Sequence, residues 1–156
     1  MLRKGNDVYD WKGILSGVLA SALAAAAVGA LKTQPWNAFD YAGATEEKQQ
    51  AYLEKLAGRI EKGLVKGAKG GAKVTKLKAD AARNEIRADI QFTDPRADHA
   101  TQGDFAPMTA MVQADFCREA TTRNLVSEGV AIKITFVRPT RGPVTSLTFD
   151  RSRCTS

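Results

Sequence analysis

Histidine is almost missing from this chain: His99 stands alone among 156 residues, and cysteine occurs only as Cys117 and Cys154. One histidine with no cysteine near it in sequence gives no support to a histidine-based nucleophile triad. It also falls short of a zinc site, which draws on several His or Cys side chains. His99 stands among Asp94, Asp98 and Asp104, but the ordered ligand spacing of a calcium loop is not there. A solvated turn accounts for these residues. The run Gly63, Gly67, Gly70 and Gly71 contains lysines, yet it lacks Gly-Lys-Ser/Thr and follows no strand, which excludes a P-loop. No catalytic residue, metal ligand or cofactor is expected, and neither is an enzyme.

Acidic charge is also in the minority. Seventeen Asp and Glu face 23 Lys and Arg, a formal net charge of +6. Such a balance favours lipid headgroups, acidic proteins or nucleic acid without choosing among them. The length leaves room for one domain and an anchor.

Long uncharged runs are scarce, and the one from Ile14 to Leu31 stands out for that reason. At roughly 18 residues it reaches the lower limit for crossing a hydrocarbon core. Tyr9 and Trp11 precede it; Trp36, Phe39 and Tyr41 follow. Amphipathic rings favour the headgroup layer, so these predict two aromatic belts, with Trp11 and Trp36 at the interfaces. Arg3, Lys4 and Lys12 outweigh Lys32, which places the N-terminus in the cytoplasm by the positive-inside bias. The expected layout is a cytoplasmic segment 1–13, a transmembrane helix 14–31, a linker 32–43 and an exported domain 44–156. Two alternatives stay open. Val28-Gly29-Ala30 would serve as a signal-peptide cleavage site, although Asp7 and Asp10 in the leading segment argue against it, and the run could be a buried Ala-rich helix. Gly17, Ser21, Ala25 and Gly29 recur every fourth residue, so a helix would carry them on one face. Small side chains at this spacing let two membrane helices approach closely, though Ala-rich segments also generate the pattern by chance.

Beyond the linker, Thr45 is a candidate N-cap, with Glu46 and Glu47 at the positive end of a helix dipole. Leu53, Leu56, Ile60 and Leu64 form an apolar stripe, and the glycines from Gly63 onward are expected to stop the helix. Strands are predicted at 73–79 and 85–93; in the second, Ile86, Ala88, Ile90 and Phe92 alternate with polar residues. A polar loop spans 94–104, a helix with a break after Cys117 spans 105–127, and a hairpin follows with Val130, Ile132, Ile134 and Phe136 facing inward. The order predicts an α+β domain whose antiparallel sheet carries helices on one face. In an oxidising compartment, Cys117 and Cys154 read as one bridge tying the second helix to the sheet edge.

Lys55, Arg59, Lys62, Lys66, Lys69 and Lys73 follow three- and four-residue steps beside the apolar stripe. They predict either a contact for an anionic membrane or partner or an ordinary solvated face. No aromatic side chains interleave with them, which argues against nucleic acid.

Cys117, then Arg123, Leu125, Val126, Gly129 and Val130, a strand–turn–strand around Gly142 and a terminal Cys154 form an ordered pattern. It resembles that of a group of small uncharacterised proteobacterial envelope proteins. The likeness covers mainly residues 117–154. It departs from the group at Ile134 and Phe136, where Tyr-x-Tyr is frequent. The resemblance implies an exported, disulfide-closed α+β domain and no particular activity. With the layout above, the expectation is a non-enzymatic accessory or assembly subunit of a bacterial inner-membrane complex. Its domain would be periplasmic, and its partners would be a larger integral membrane complex and lipid. A secreted periplasmic binding domain, released after Ala30, is the alternative.

Overall fold

The computed structural model describes residues 39–68, 70–118 and 120–154. The expected membrane segment 14–31, with Gly17, Ser21, Ala25 and Gly29, lies outside them, as do Trp11 and Trp36. Among the described residues no helix is long and apolar enough to cross a membrane.

Helix α1 spans Glu46–Ala68. Thr45 caps it, accepting from the Lys48 N–H at 3.4 Å, and Glu46 and Glu47 occupy the first turn. Leu53, Leu56, Ala57, Ile60 and Leu64 form its buried stripe. Contrary to expectation, the helix runs through Gly63 and Gly67. An interior glycine costs about 1 kcal/mol relative to alanine, and burial of the stripe offsets it. The helix ends where Gly70 turns to φ +84° and the Gly71 N–H closes on the Ala68 carbonyl at 2.8 Å.

Strands β1 (Ala72–Asp80) and β2 (Glu85–Phe92) form an antiparallel hairpin. Residues 94–104, expected to be loop, instead contain a 3₁₀ turn at Pro95–His99 and the first turn of α2, Gln102–Arg118. A second helical segment, α3, spans Ala120–Ser127; Arg118, just past the expected break after Cys117, is still helical, and residue 119 lies outside the described residues. Strands β3 (Ala131–Arg138) and β4 (Gly142–Phe149) make the second hairpin, and a single turn, α4 (Arg151–Cys154), follows.

The sheet order is β1-β2-β3-β4. One expectation fails here: β2 and β3 pair in parallel, with Ile86 beside Ile132 and Ile90 beside Phe136. The helices between them carry the chain from the end of β2 back to its beginning, so β3 must run the same way. The sheet is therefore mixed rather than antiparallel throughout.

All the helical stripes meet one face of this sheet. Phe105 of α2 packs among Phe92 and Phe136, at 5.5 and 5.9 Å between ring centroids, and Phe116 stacks on Phe149 at 4.4 Å. Gln50 joins α1 to the hairpin, donating to the Ala79 carbonyl at 3.0 Å and accepting from the Ala81 N–H at 2.8 Å.

Two residues read as part of a membrane belt belong to this domain. Tyr41 is 1% exposed and donates its hydroxyl to Asn84 Oδ1 at 2.8 Å, while Phe39 stacks on Tyr52 of α1 at 4.2 Å. Rings suited to a headgroup layer suit a domain edge equally well. The end of the expected linker is thus packed structure.

Candidate interaction surfaces

The expected disulfide is present. Cys117 and Cys154 are joined at 2.02 Å, their Cα atoms 4.9 Å apart. The bridge fastens the end of α2 to α4, the turn that follows the edge strand β4.

The acidic loop around His99 braces the fold rather than gathering ligands. Asp94 caps the 3₁₀ turn through the Arg96 N–H and pairs with the Arg96 guanidinium at 2.7 Å. Asp104 accepts from the Thr101 N–H at 2.9 Å, across the start of α2. Asp98 reaches the β3–β4 turn, accepting from the Thr140 N–H at 2.8 Å, the Thr140 hydroxyl at 2.7 Å and the Arg141 N–H at 3.2 Å. His99 is exposed. Among the described residues no group of three or more His, Cys, Asp or Glu side chains could hold a metal ion.

The hydrogen bonds from Thr140 hold the Asp98 carboxyl below the ordinary carboxylate value of 3.8. A depressed folded-state value contributes stability that is complete above the unfolded value and is lost as pH falls through the folded one. Asp98→Asn is therefore expected to flatten the dependence of melting temperature on pH below about pH 4. A pH profile identical to that of the parent would show that the carboxylate is not coupled to folding.

The basic residues predicted to form one stripe are divided between two faces. Lys55, Lys62 and Lys66 are exposed on α1, with Arg59 half-buried beside them. Lys69 lies outside the described residues. Lys73 belongs to β1, opposite Gln91, and its position alternates with the core-facing Ala72 and Val74. It therefore lies on the far side of the sheet from α1. The helical period ends with α1, so continuing it to Lys73 assigned the wrong face.

That far side is an open polar surface that helix-period reasoning passed over. Strand period would have found it. Lys78 of β1 lies opposite Arg87 of β2, and Arg87 lies beside Lys133 of β3. Thr148 of β4 completes the row. Asp80 lies 3.5 Å from Lys78, Asp89 lies 4.0 Å from Lys76, and Glu85 pairs with Arg87. Lys78, Asp80, Arg83, Glu85 and Arg87 line a small cleft at the hairpin end.

With a disulfide-closed two-layer domain in hand, known structures supply a match. A Pseudomonas aeruginosa protein assigned as secreted superposes with a TM-score of 0.54 at 17% identity, over 72% of this chain and 99% of its own. The pilotin of the Vibrio vulnificus type 2 secretion system also superposes at 0.54, with 15% identity, over 71% of this chain and 96% of its own. The fold is shared. At these identities the likeness concerns the fold alone, and it takes in nearly the whole of both proteins. No protein-family model matches the sequence, and a search of curated proteins finds no match.

Proposed function

We propose that this chain is a non-enzymatic accessory subunit of the bacterial envelope that assists a larger membrane complex. Segment 14–31 anchors it in the inner membrane, with the N-terminus cytoplasmic and the disulfide-closed domain periplasmic. The observation that carries this reading is the superposition on a secretion-system pilotin over nearly all of that protein. The Cys117–Cys154 bridge supports export, since structural disulfides persist in oxidising compartments. The anchor rests on the uncharged run, its flanking rings and the basic bias of residues 3–12.

The superposition on a protein assigned as secreted keeps one alternative in view: a periplasmic binding domain released by cleavage after Ala30. Intact mass of the protein purified from cells separates the two, because cleavage removes everything before Leu31.

If the anchor is also a contact surface, Gly17, Ser21, Ala25 and Gly29 let a partner helix come close, and a larger side chain holds it off. Gly17→Leu and Gly29→Leu are then expected to abolish co-purification of the complex in mild detergent, while Leu19→Ile, off that face, preserves it. Both glycine changes raise hydrophobicity, so failed insertion would not explain the loss. Retention of the complex by both variants would eliminate the helix contact.

A further inference from the structure

The open face of the sheet carries a charge arrangement that folding does not require. Lys78, Arg87 and Lys133 lie side by side across three strands, at the ~4.8 Å spacing between neighbouring strands. Like charges directly opposite one another weaken a sheet. Lysine on an edge strand is explained by protection against stray strand pairing, but Arg87 and Lys133 sit on the two inner strands. Lys133 is half-buried and has no ion-pair partner among the described residues. Lys73, Lys76 and Arg83 add to the row, and only Asp80, Glu85 and Asp89 oppose it, so six cations face three carboxylates.

The composition of this face selects among anionic partners. The one large hydrophobic side chain that stands well exposed among the described residues, Val65, is on α1. The apolar side chains on the sheet face are Ala131 and, at its other end, the half-buried Val137 beside Pro143, too little surface to insert into a bilayer. The face carries no aromatic ring on which a base could stack. Thr135, Ser146 and Thr148 offer hydrogen-bonding groups beside the cations, and alternating charge of both signs fixes register against a protein.

We infer that this face binds an acidic segment of a protein partner, whose carboxylates meet Lys78, Arg87 and Lys133 through charge-assisted hydrogen bonds. The inference rests on the accessory-subunit reading for the existence of a protein partner. It adds the surface and the chemistry that recognises that partner.

The test uses the full chain in detergent, a fluorescein-labelled Glu-Ser repeat peptide as probe, and about 0.15 M salt to screen diffuse attraction. Arg87→Gln with Lys133→Gln is expected to weaken peptide binding about tenfold. Lys48→Gln with Arg123→Gln removes the same charge elsewhere on the surface and is expected to change it less than about twofold. The sheet variant should melt close to the parent, because the exposed Arg87–Glu85 pair it removes contributes little and relief of the like-charge row offsets that loss; lost binding with retained stability separates recognition from folding. Equal losses in the two variants, or no binding by the parent, would overturn the inference. So would a loss confined to sedimentation with phosphatidylglycerol vesicles, which would assign the face to lipid. Co-purification distinguishes this inference from the accessory reading. A complex captured equally by parent and sheet variant refutes the surface and leaves that reading standing. Absence of any complex, with peptide discrimination intact, refutes that reading and leaves the surface.

Discussion

Phe149→Ala is expected to lower the unfolding free energy by about 3–5 kcal/mol, a large part of the roughly 5–15 kcal/mol that holds a domain of this size. Phe149 is fully buried, stacks on Phe116 of α2 and pairs with Ile132 across the β3–β4 ladder. Alanine would leave a cavity between sheet and helix at the point where an edge strand is held down. Urea unfolding measures the loss as a lower midpoint with an unchanged slope. A loss below about 1 kcal/mol would mean that α2 collapses onto β4 and fills the space, contrary to the close packing expected of such a core.

The second large effect belongs to the bridge. Cys117 and Cys154 lie 37 residues apart in sequence, and closing a loop of that size typically contributes ~2–4 kcal/mol, mostly by restricting the unfolded chain. Cys117→Ser with Cys154→Ser should lower stability by that amount while the native far-ultraviolet circular dichroism persists. Equal stability of the double variant and the oxidised parent would show that the bridge contributes nothing. Since α4 directly follows β4, the Phe149 and cysteine changes act on one anchorage. Their combination should depart from additivity, as it does for residues sharing partners.

Much of this fold was legible in the sequence because each element carries its own period. Ile86, Ala88, Ile90 and Phe92 alternate into the core as expected, and so do Ile132, Ile134 and Phe136. The stripe from Leu53 to Leu64 lies buried under α1. What alternation does not encode is the neighbour. It assigns Ile86 and Ile132 to one face without saying that their strands lie side by side, or in which sense. A polar second face, as Arg87 and Lys133 provide, is the usual mark of an antiparallel sheet, since parallel sheets are generally covered on both faces. The antiparallel expectation came from the order of elements, and that order leaves open how the second hairpin docks on the first.

The cationic surface was missed for a related reason. Six basic residues at helical steps look continuous in sequence, but the backbone changes period between Ala68 and Ala72, and Lys73 crosses to the other side of the sheet. Lys78, Arg87 and Lys133 fall in one row only once the β2–β3 register is known, and local sequence does not supply that register. Phe39 and Tyr41 show a different limit. Composition identifies an amphipathic ring but not the layer it seeks. Only the stack on Tyr52 and the hydrogen bond to Asn84 decide it.

The parallel pairing also has a consequence in time. Chains leave the ribosome from the N-terminus, so α1 and the β1–β2 hairpin are complete well before β3 arrives, 46 positions after its partner, from Glu85 to Ala131. Until then β2 presents an unpaired edge, with Ile86, Ile90 and Phe92 bare alongside it, a template for pairing with any other extended chain. Non-local pairings of this sort slow folding as well, because the long loop must close before the contacts reward it. The nascent half-domain is therefore the aggregation-prone species, because that edge stays open until β3 docks.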